Sequence, residues 1–229
     1  MKGEKIPVAH VSIGDISKED VMRSQNALLM DDPTLIRKEY ATILAFDVKT
    51  LPEAKLHAQK VGVKILEAEI IYHLCDMYKK WVVDCQQERK NQTRADAVFP
   101  CVIKPIAFFN KKDPIVLGCD VVEGVVKIGT PLCVFNKDKV KVNLGTVVSI
   151  EANHKPIQEA RAHHGNIAIR IKGEKDSNIT AGRQFELTDA IYSLISRKNI
   201  DVLKANFRNE MLDSDWETVI KLKELFDIF

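Results

Sequence analysis

The sequence predicts an α/β plus β chain: a small parallel α/β/α sandwich, a long connecting α-helix, then an antiparallel β-barrel with C-terminal helices. Three observations predict it. Strand-like and helix-like segments alternate up to residue 66, as in a parallel sheet with right-handed crossovers. Residues 63–99 contain no glycine and no proline, and Ile71, Leu74, Tyr78, Trp81, Val82 and Cys85 recur through them at helical spacing. Beyond residue 96, short β-rich runs are punctuated by glycines and prolines, the spacing of an antiparallel barrel or sandwich.

In order along the chain, residues 6–13 are β-rich. Ser17-Lys-Glu-Asp20 forms an S-x-x-D capping box, and Val21, Ala27 and Leu28 continue a first helix. Residues 41–48 are almost continuously apolar, as a strand covered on both faces would be. Pro52 suits the first turn of a second helix whose inner face is Leu51, Ala54, Ala58 and Val61, with Gly62 at its C-terminal cap. Residues 63–66 make a third short strand. The helix that follows is expected over 67–94, about 42 Å at ~1.5 Å per residue. Helices of that length suggest a coiled coil, a membrane span or a strut, and Asp76, Lys79, Lys80, Asp84, Glu88 and Arg89 exclude the span. A connecting strut remains.

Barrel strands are expected at 102–107, 115–121, 124–128, 132–135, 145–151, 166–171 and 183–187. Thr188-Asp189 caps a helix through Arg197, and a second follows over 200–207. Ser214-Asp-Trp-Glu217 reads as another capping box, opening a last helix to about Phe226. The expected organisation is therefore 1–66, 67–95, 96–187 and 188–229.

Length and charge narrow the function. A chain of 229 residues suits two domains of ordinary size. A net charge of +2 leaves any RNA contact to local patches. The N-terminus lacks the apolar core of a signal peptide, and no apolar run is long enough to cross a bilayer, so a cytoplasmic chain without membrane contact is expected. The five cysteines show no C-x-x-C spacing and read as buried hydrophobes in a reducing compartment.

Neither G-x-G-x-x-G nor G-x-x-x-x-G-K-[ST] occurs in the chain, which argues against a nucleotide site on the first module. His10 and His57 are isolated. No Ser/His/Asp, Cys/His or paired-carboxylate constellation stands out, so no catalytic residue and no metal ligand is assigned. Two other groups of residues carry chemistry. Asn153-His-Lys155 and Arg161-Ala-His-His-Gly165, with Arg183, place cations and rings in loops between barrel strands. His163 and His164 alone are too few for structural zinc. On the terminal helices Trp216, Val219 and Ile220 offer apolar slots, and Arg197, Lys198, Lys204, Lys221 and Lys223 offer charge.

Three segments together resemble a known family. Val8-Ala-His-Val-Ser-Ile-Gly-Asp-Ile-Ser-Lys-Glu-Asp-Val21 is similar to the start of the third domain of the factor two/five-B family of initiation GTPases. Leu117-Gly-Cys-Asp-Val-Val-Glu-Gly-Val-Val-Lys-Ile-Gly-Thr-Pro-Leu132 looks like the barrel signature of translation factors. Phe207-Arg-Asn-Glu-Met-Leu-Asp-Ser-Asp-Trp216 is similar to the helical extension of the eukaryotic form.

The resemblance covers essentially the whole chain and implies a C-terminal fragment holding the third and fourth domains, with a translation-factor-type barrel. The GTPase domain, with its GTP and magnesium, would lie outside it, so the fragment itself would be no enzyme and would need no cofactor. Asn110-Lys-Lys-Asp113 matches the guanine-reading N-K-x-D pattern, but it follows a short strand with no phosphate loop upstream and reads as a polar hairpin turn.

By the same resemblance, Asn153, His154, Lys155, Arg161, His163, His164 and Arg183 would meet the acceptor end of initiator methionyl-tRNA. His163 and His164 stand where bacterial members carry an acidic residue and a cysteine, which implies looser, unformylated recognition. Arg197, Lys204, Trp216, Val219, Ile220 and Lys223 would receive the acidic C-terminal tail of initiation factor one-A. The expected setting is a monomer working on the ribosome during subunit joining. The alternative is a protein-interaction adaptor whose only binding site is the terminal helical groove.

Overall fold

The computed structural model describes residues 6, 8–29, 37–135, 140–173 and 179–228. They form two compact units, Met1–Asn91 and Gln92–Phe229.

In the first unit, α1 (Lys18–Gln25) begins at the expected capping box. The Ser17 N–H donates to Asp20 Oδ2 at 2.9 Å, and the Asp20 N–H donates to Ser17 Oγ at 3.4 Å. Strands β1 (Thr42–Phe46) and β2 (Lys64–Ala68) pair in parallel, joined by α2 (Pro52–Val61). Pro52 opens α2 and Gly62 closes it in the left-handed conformation. Val21, Ala41, Ala45, Ala54, Ala58 and Val63 make the core between sheet and helices.

The strand expected over 6–13 does not form among the described residues; Pro7 lies outside them. Val8, Val11 and Ile13 are exposed instead, and the parallel pairing is reduced to an isolated bridge between Ile16 and Thr50.

Helix α3 spans Ile71–Thr93. It starts later than expected because Glu67 and Ala68 extend β2. Nor does it stand free in its unit. Leu74 and Tyr78 pack on Leu66, Trp81 Nε1 donates to Thr42 Oγ1 at 3.1 Å, and Arg89 pairs with the buried Glu39. One face of the helix is thus part of the α/β unit as far as Arg89, a use that its apolar stripe required and that the strut reading passed over.

The second unit is a closed barrel of six antiparallel strands. These are β3 (Cys101–Asn110), β4 (Ile115–Lys127), β5 (Pro131–Phe135), β6 (Lys141–Ala152), β9 (Ile167–Lys172) and β10 (Ile191–Ser193), with β7 (Lys155–Ile157) and β8 (Glu159–Arg161) as side ribbons. The order β3-β10-β5-β6-β9-β4 returns to β3 and leaves the barrel no open edge. Ile103, Leu117, Leu132, Leu144, Ile150, Ile169, Ile171 and Ile191 fill it.

The two strands expected at 115–121 and 124–128 are one. Gly124 bends that strand at φ 73°, where an added Cβ would lie 2.0 Å from the Pro100 carbonyl oxygen. Gly145 serves the same purpose on β6, with its Cβ position 2.1 Å from the Lys172 carbonyl oxygen.

Two expectations near the end of the barrel are corrected. Residues 183–187 are a turn that inserts one apolar side chain, Phe185, into the barrel, edge-to-face against Phe108 at 5.4 Å. Residues 191–193, expected in a helix, form the strand that closes the barrel, and Ser193 Oγ accepts the Cys101 N–H at 2.9 Å. One helix, α4 (Arg197–Asn206), follows, capped by Ser196 and Asn199.

Helix α5 (Asp213–Leu225) does not use Ser214 as its cap. Asp215 accepts the Leu212 N–H at 2.9 Å and does that work. Ile200, Leu203, Phe207, Val219 and Leu222 pack these helices on Phe99 and Val125 of the barrel side.

Candidate functional site

The structure divides the expected RNA-facing residues between two ends of the barrel. Asn153 and His154 are the two-residue connection of the β6–β7 hairpin. Both have positive φ, 50° and 62°, the backbone of a type I′ turn. Both side chains and that of Lys155 are exposed. Ala152 pairs with Ile167 across β6 and β9, so the turn at Ala162–His164, just before β9, lies at this same end. Its two imidazoles stack with ring centroids 4.1 Å apart.

The Arg161 N–H donates to His164 Nδ1 at 3.1 Å. Nδ1 also lies 3.3 Å from the Arg161 carbonyl oxygen, so either tautomer of the ring ties this turn to residue 161. Together the two turns present one ammonium, three imidazoles and an amide.

Arg161 itself is engaged. Its NH1 lies 2.9 and 3.0 Å from the two oxygens of Asp215, which is 1% exposed, while Arg161 is 19% exposed. The pair joins β8 to the start of α5, and the sequence offered no sign of it, since 54 residues separate the partners.

Arg183 is exposed at the other end. Ala181 N–H donates to the Lys111 carbonyl and Gly173 N–H to Asp113 Oδ1. That places the Arg183 turn beside the β3–β4 connection and the far end of β9, five residues or about 17 Å from Ile167.

Asn110-Lys-Lys-Asp113 is the turn of that connection. Asn110 Nδ2 donates to the Pro114 carbonyl, and Asn110 Oδ1 accepts the Lys112 N–H. The Asn110 side chain is spent on the turn and that of Asp113 on the Gly173 N–H, so neither is free to read a guanine.

On the terminal helices Val219 is buried in the core and Trp216 packs partly against it, whereas Ile220 is 59% exposed. Arg197 pairs with Asp201, Lys198 with Asp96 and Lys221 with Glu123 at 2.7 Å. Lys204 is exposed and Lys223 half-buried. Thus Ile220 and Leu225, with Leu212 just before the helix, are the exposed large apolar residues of this segment, and Val219 is not. Among the described residues no cluster of three or more His, Cys, Asp or Glu side chains could hold a metal, and no helix is long and apolar enough to cross a membrane.

Residues 1–79 match the family model of translation-initiation factor 2, and residues 100–192 match that of elongation factor Tu domain 4. Over its whole length the chain is 42% identical to eukaryotic translation initiation factor 5B of Schizosaccharomyces pombe and also to that of Homo sapiens, covering 21% and 18% of those proteins.

The crystal structure of GDP-bound aIF5B from Aeropyrum pernix superposes with a TM-score of 0.50 at 25% identity, over 93% of this chain and 33% of that one. The chain belongs to the translation initiation factor 2/5B family. It corresponds to the C-terminal region of these factors and spans about one fifth of the length of the curated relatives it matches.

Proposed function

We propose that this region positions the acceptor end of initiator methionyl-tRNA and docks the C-terminal tail of initiation factor one-A during ribosomal subunit joining. In this reading the long helix relays the state of a GTPase domain that these residues do not include; GTP and magnesium would bind there. The observation that carries it is the convergence of two exposed turns, Asn153-His154-Lys155 and His163-His164, on one end of the barrel. An anionic CCA end with an esterified methionine needs cations for phosphate and flat rings or N–H donors for bases, and these turns supply both. Arg161 then acts by holding the His164 turn rather than by touching RNA, and Arg183 stands outside the footprint.

For the partner tail, the exposed apolar side chains of Ile220, Leu212 and Leu225 with Lys204 and Lys223 would take apolar and acidic residues. Their exposure also favours the adaptor reading, in which the terminal helices alone bind.

An NMR titration of this chain with methionylated and uncharged acceptor-stem RNA separates the two. Shifts centred on residues 153–155 and 163–165, larger for the methionyl ester and reduced by Lys155→Ala, are expected. Shifts that are diffuse and vanish with salt would leave phosphate attraction alone and favour the adaptor.

A further inference from the structure

The end of the barrel that carries Arg183 has a surface of its own. On β3 the register slips between Phe108 and Asn110, leaving Phe109 as the extra residue of a β-bulge. Its ring points outward, 68% exposed, and lies across Gly118 of β4; a Cβ there would stand 3.1 Å from Phe109 Cε2. A bulge thus aims a phenyl ring at solvent over a residue with no side chain, so the ring is supported from beneath and open above.

Cations lie on the same face of β9 and in the adjoining turns. Val116, two residues from Gly118 and on the same face, pairs with Arg170 of β9, and Lys172 follows on that face. Arg170 and Lys172 are about 7 Å apart along the strand, a step comparable to consecutive phosphates of an extended nucleic-acid strand. Lys111 and Lys112 lie in the adjoining turn, and Lys111 Nζ reaches to within 3.9 Å of the Cβ position of Gly182, beside Arg183.

All five cations are exposed, and none has an ion pair among the described residues. The carboxylate within the turn, Asp113, is bonded to the Gly173 N–H.

We propose that this surface, Phe109 with Lys111, Lys112, Arg170, Lys172 and Arg183, binds single-stranded RNA, one base stacking on Phe109 and the cations tracking the phosphates. The ring decides between RNA and an acidic peptide. Cations alone suit either, but an exposed phenyl lying over Gly118 beside them matches the stacking platforms of single-strand readers. The surface shares no residue with the two turns of the acceptor-end reading and stands or falls separately from it.

The test is fluorescence anisotropy of the whole chain with a labelled oligouridylate of about eight nucleotides, at two salt concentrations. Phe109→Ala should weaken binding about tenfold or more, with Phe109→Tyr retaining it. Lys111→Ala with Lys112→Ala should flatten the log–log salt slope by roughly 1.4. A thermal melt checks folding; since Phe109 is exposed, its replacement should scarcely move the midpoint. RNA binding that is undetectable, or indifferent to Phe109, overturns the proposal. Polyglutamate binding that depends on the lysines but not on Phe109 would assign the surface to acidic peptides and overturn it equally.

Discussion

Replacing Asp215 with Ala should unfasten α5 from the barrel. The carboxylate is 1% exposed and meets Arg161 NH1 through both oxygens at 2.9 and 3.0 Å. It also accepts the Leu212 N–H that opens the helix. Removing one partner of a buried pair costs about 3–5 kcal/mol, and losing an N-terminal cap about 1 kcal/mol. Because Arg161 keeps partial access to water, the expected total is about 3 kcal/mol. For a unit of this size that lowers the melting midpoint by roughly 10 °C.

Differential scanning calorimetry of Asp215→Ala, Arg161→Ala and the double variant measures both the loss and the coupling. Asp215→Asn keeps a capping oxygen while removing the charge, so it should lie between wild type and Asp215→Ala. The reasoning fails if the two single losses add within about 0.5 kcal/mol in the double variant, as independent sites do.

Three further outcomes are expected. Gly124→Ala drives a Cβ to 2.0 Å from the Pro100 oxygen and should cost about 3 kcal/mol or more in a urea titration; a change under about 1 kcal/mol would show that the strand can rebend. The Ser17 backbone N–H, and then its hydroxyl, hold the Asp20 carboxyl below its ordinary value, so the capping box supports α1 above the ordinary carboxylate range and loses that support as pH falls through the depressed value. NMR titration of Asp20 should show this, and Ser17→Ala, which removes the hydroxyl but keeps the backbone N–H, should raise the value only part of the way back.

Burial pushes the Cys101 and Cys133 thiols up to about 12, the Cys85 thiol up to about 11, and raises Cys119 as well. A thiol reagent at mildly alkaline pH should therefore modify Cys75 first in the native chain and the other four only on unfolding; rapid labelling of a barrel cysteine would contradict the packing.

Local signals made much of the fold legible. Ser17 and Asp20, Pro52 and Gly62, and the helical stripe from Ile71 to Cys85 each act within a few residues, and each marks an observed element. The barrel was legible as a class because strands need alternation and glycines mark their bends. Its closure was not. Ile191-Tyr-Ser193 is three residues long and sits beside a helix signal, and it becomes a strand only because Cys101 and Leu132, far off in sequence, leave it a slot.

The candidate site divides the same way. Residues 153–155 and 163–164 could be placed in neighbouring loops, since hairpin connectivity is local. Arg161 read as a free cation and Val219 as an available slot because burial and the Asp215 partner are set by tertiary contacts. Phe109 gave no signal at all, since a bulge is visible only once the register is known.

The three-residue strand β10 has a consequence for synthesis. It is stitched between β3 and β5, and the Cys101–Ser193 bond spans 92 residues of chain. A ribosome making this protein releases the other five barrel strands well before the closing one. Until residue 193 leaves the exit tunnel, β3 and β5 expose unpaired edges on the nascent chain. The barrel's closing strand is thus the last of the six to emerge, and it is followed directly by the helices that cover its side.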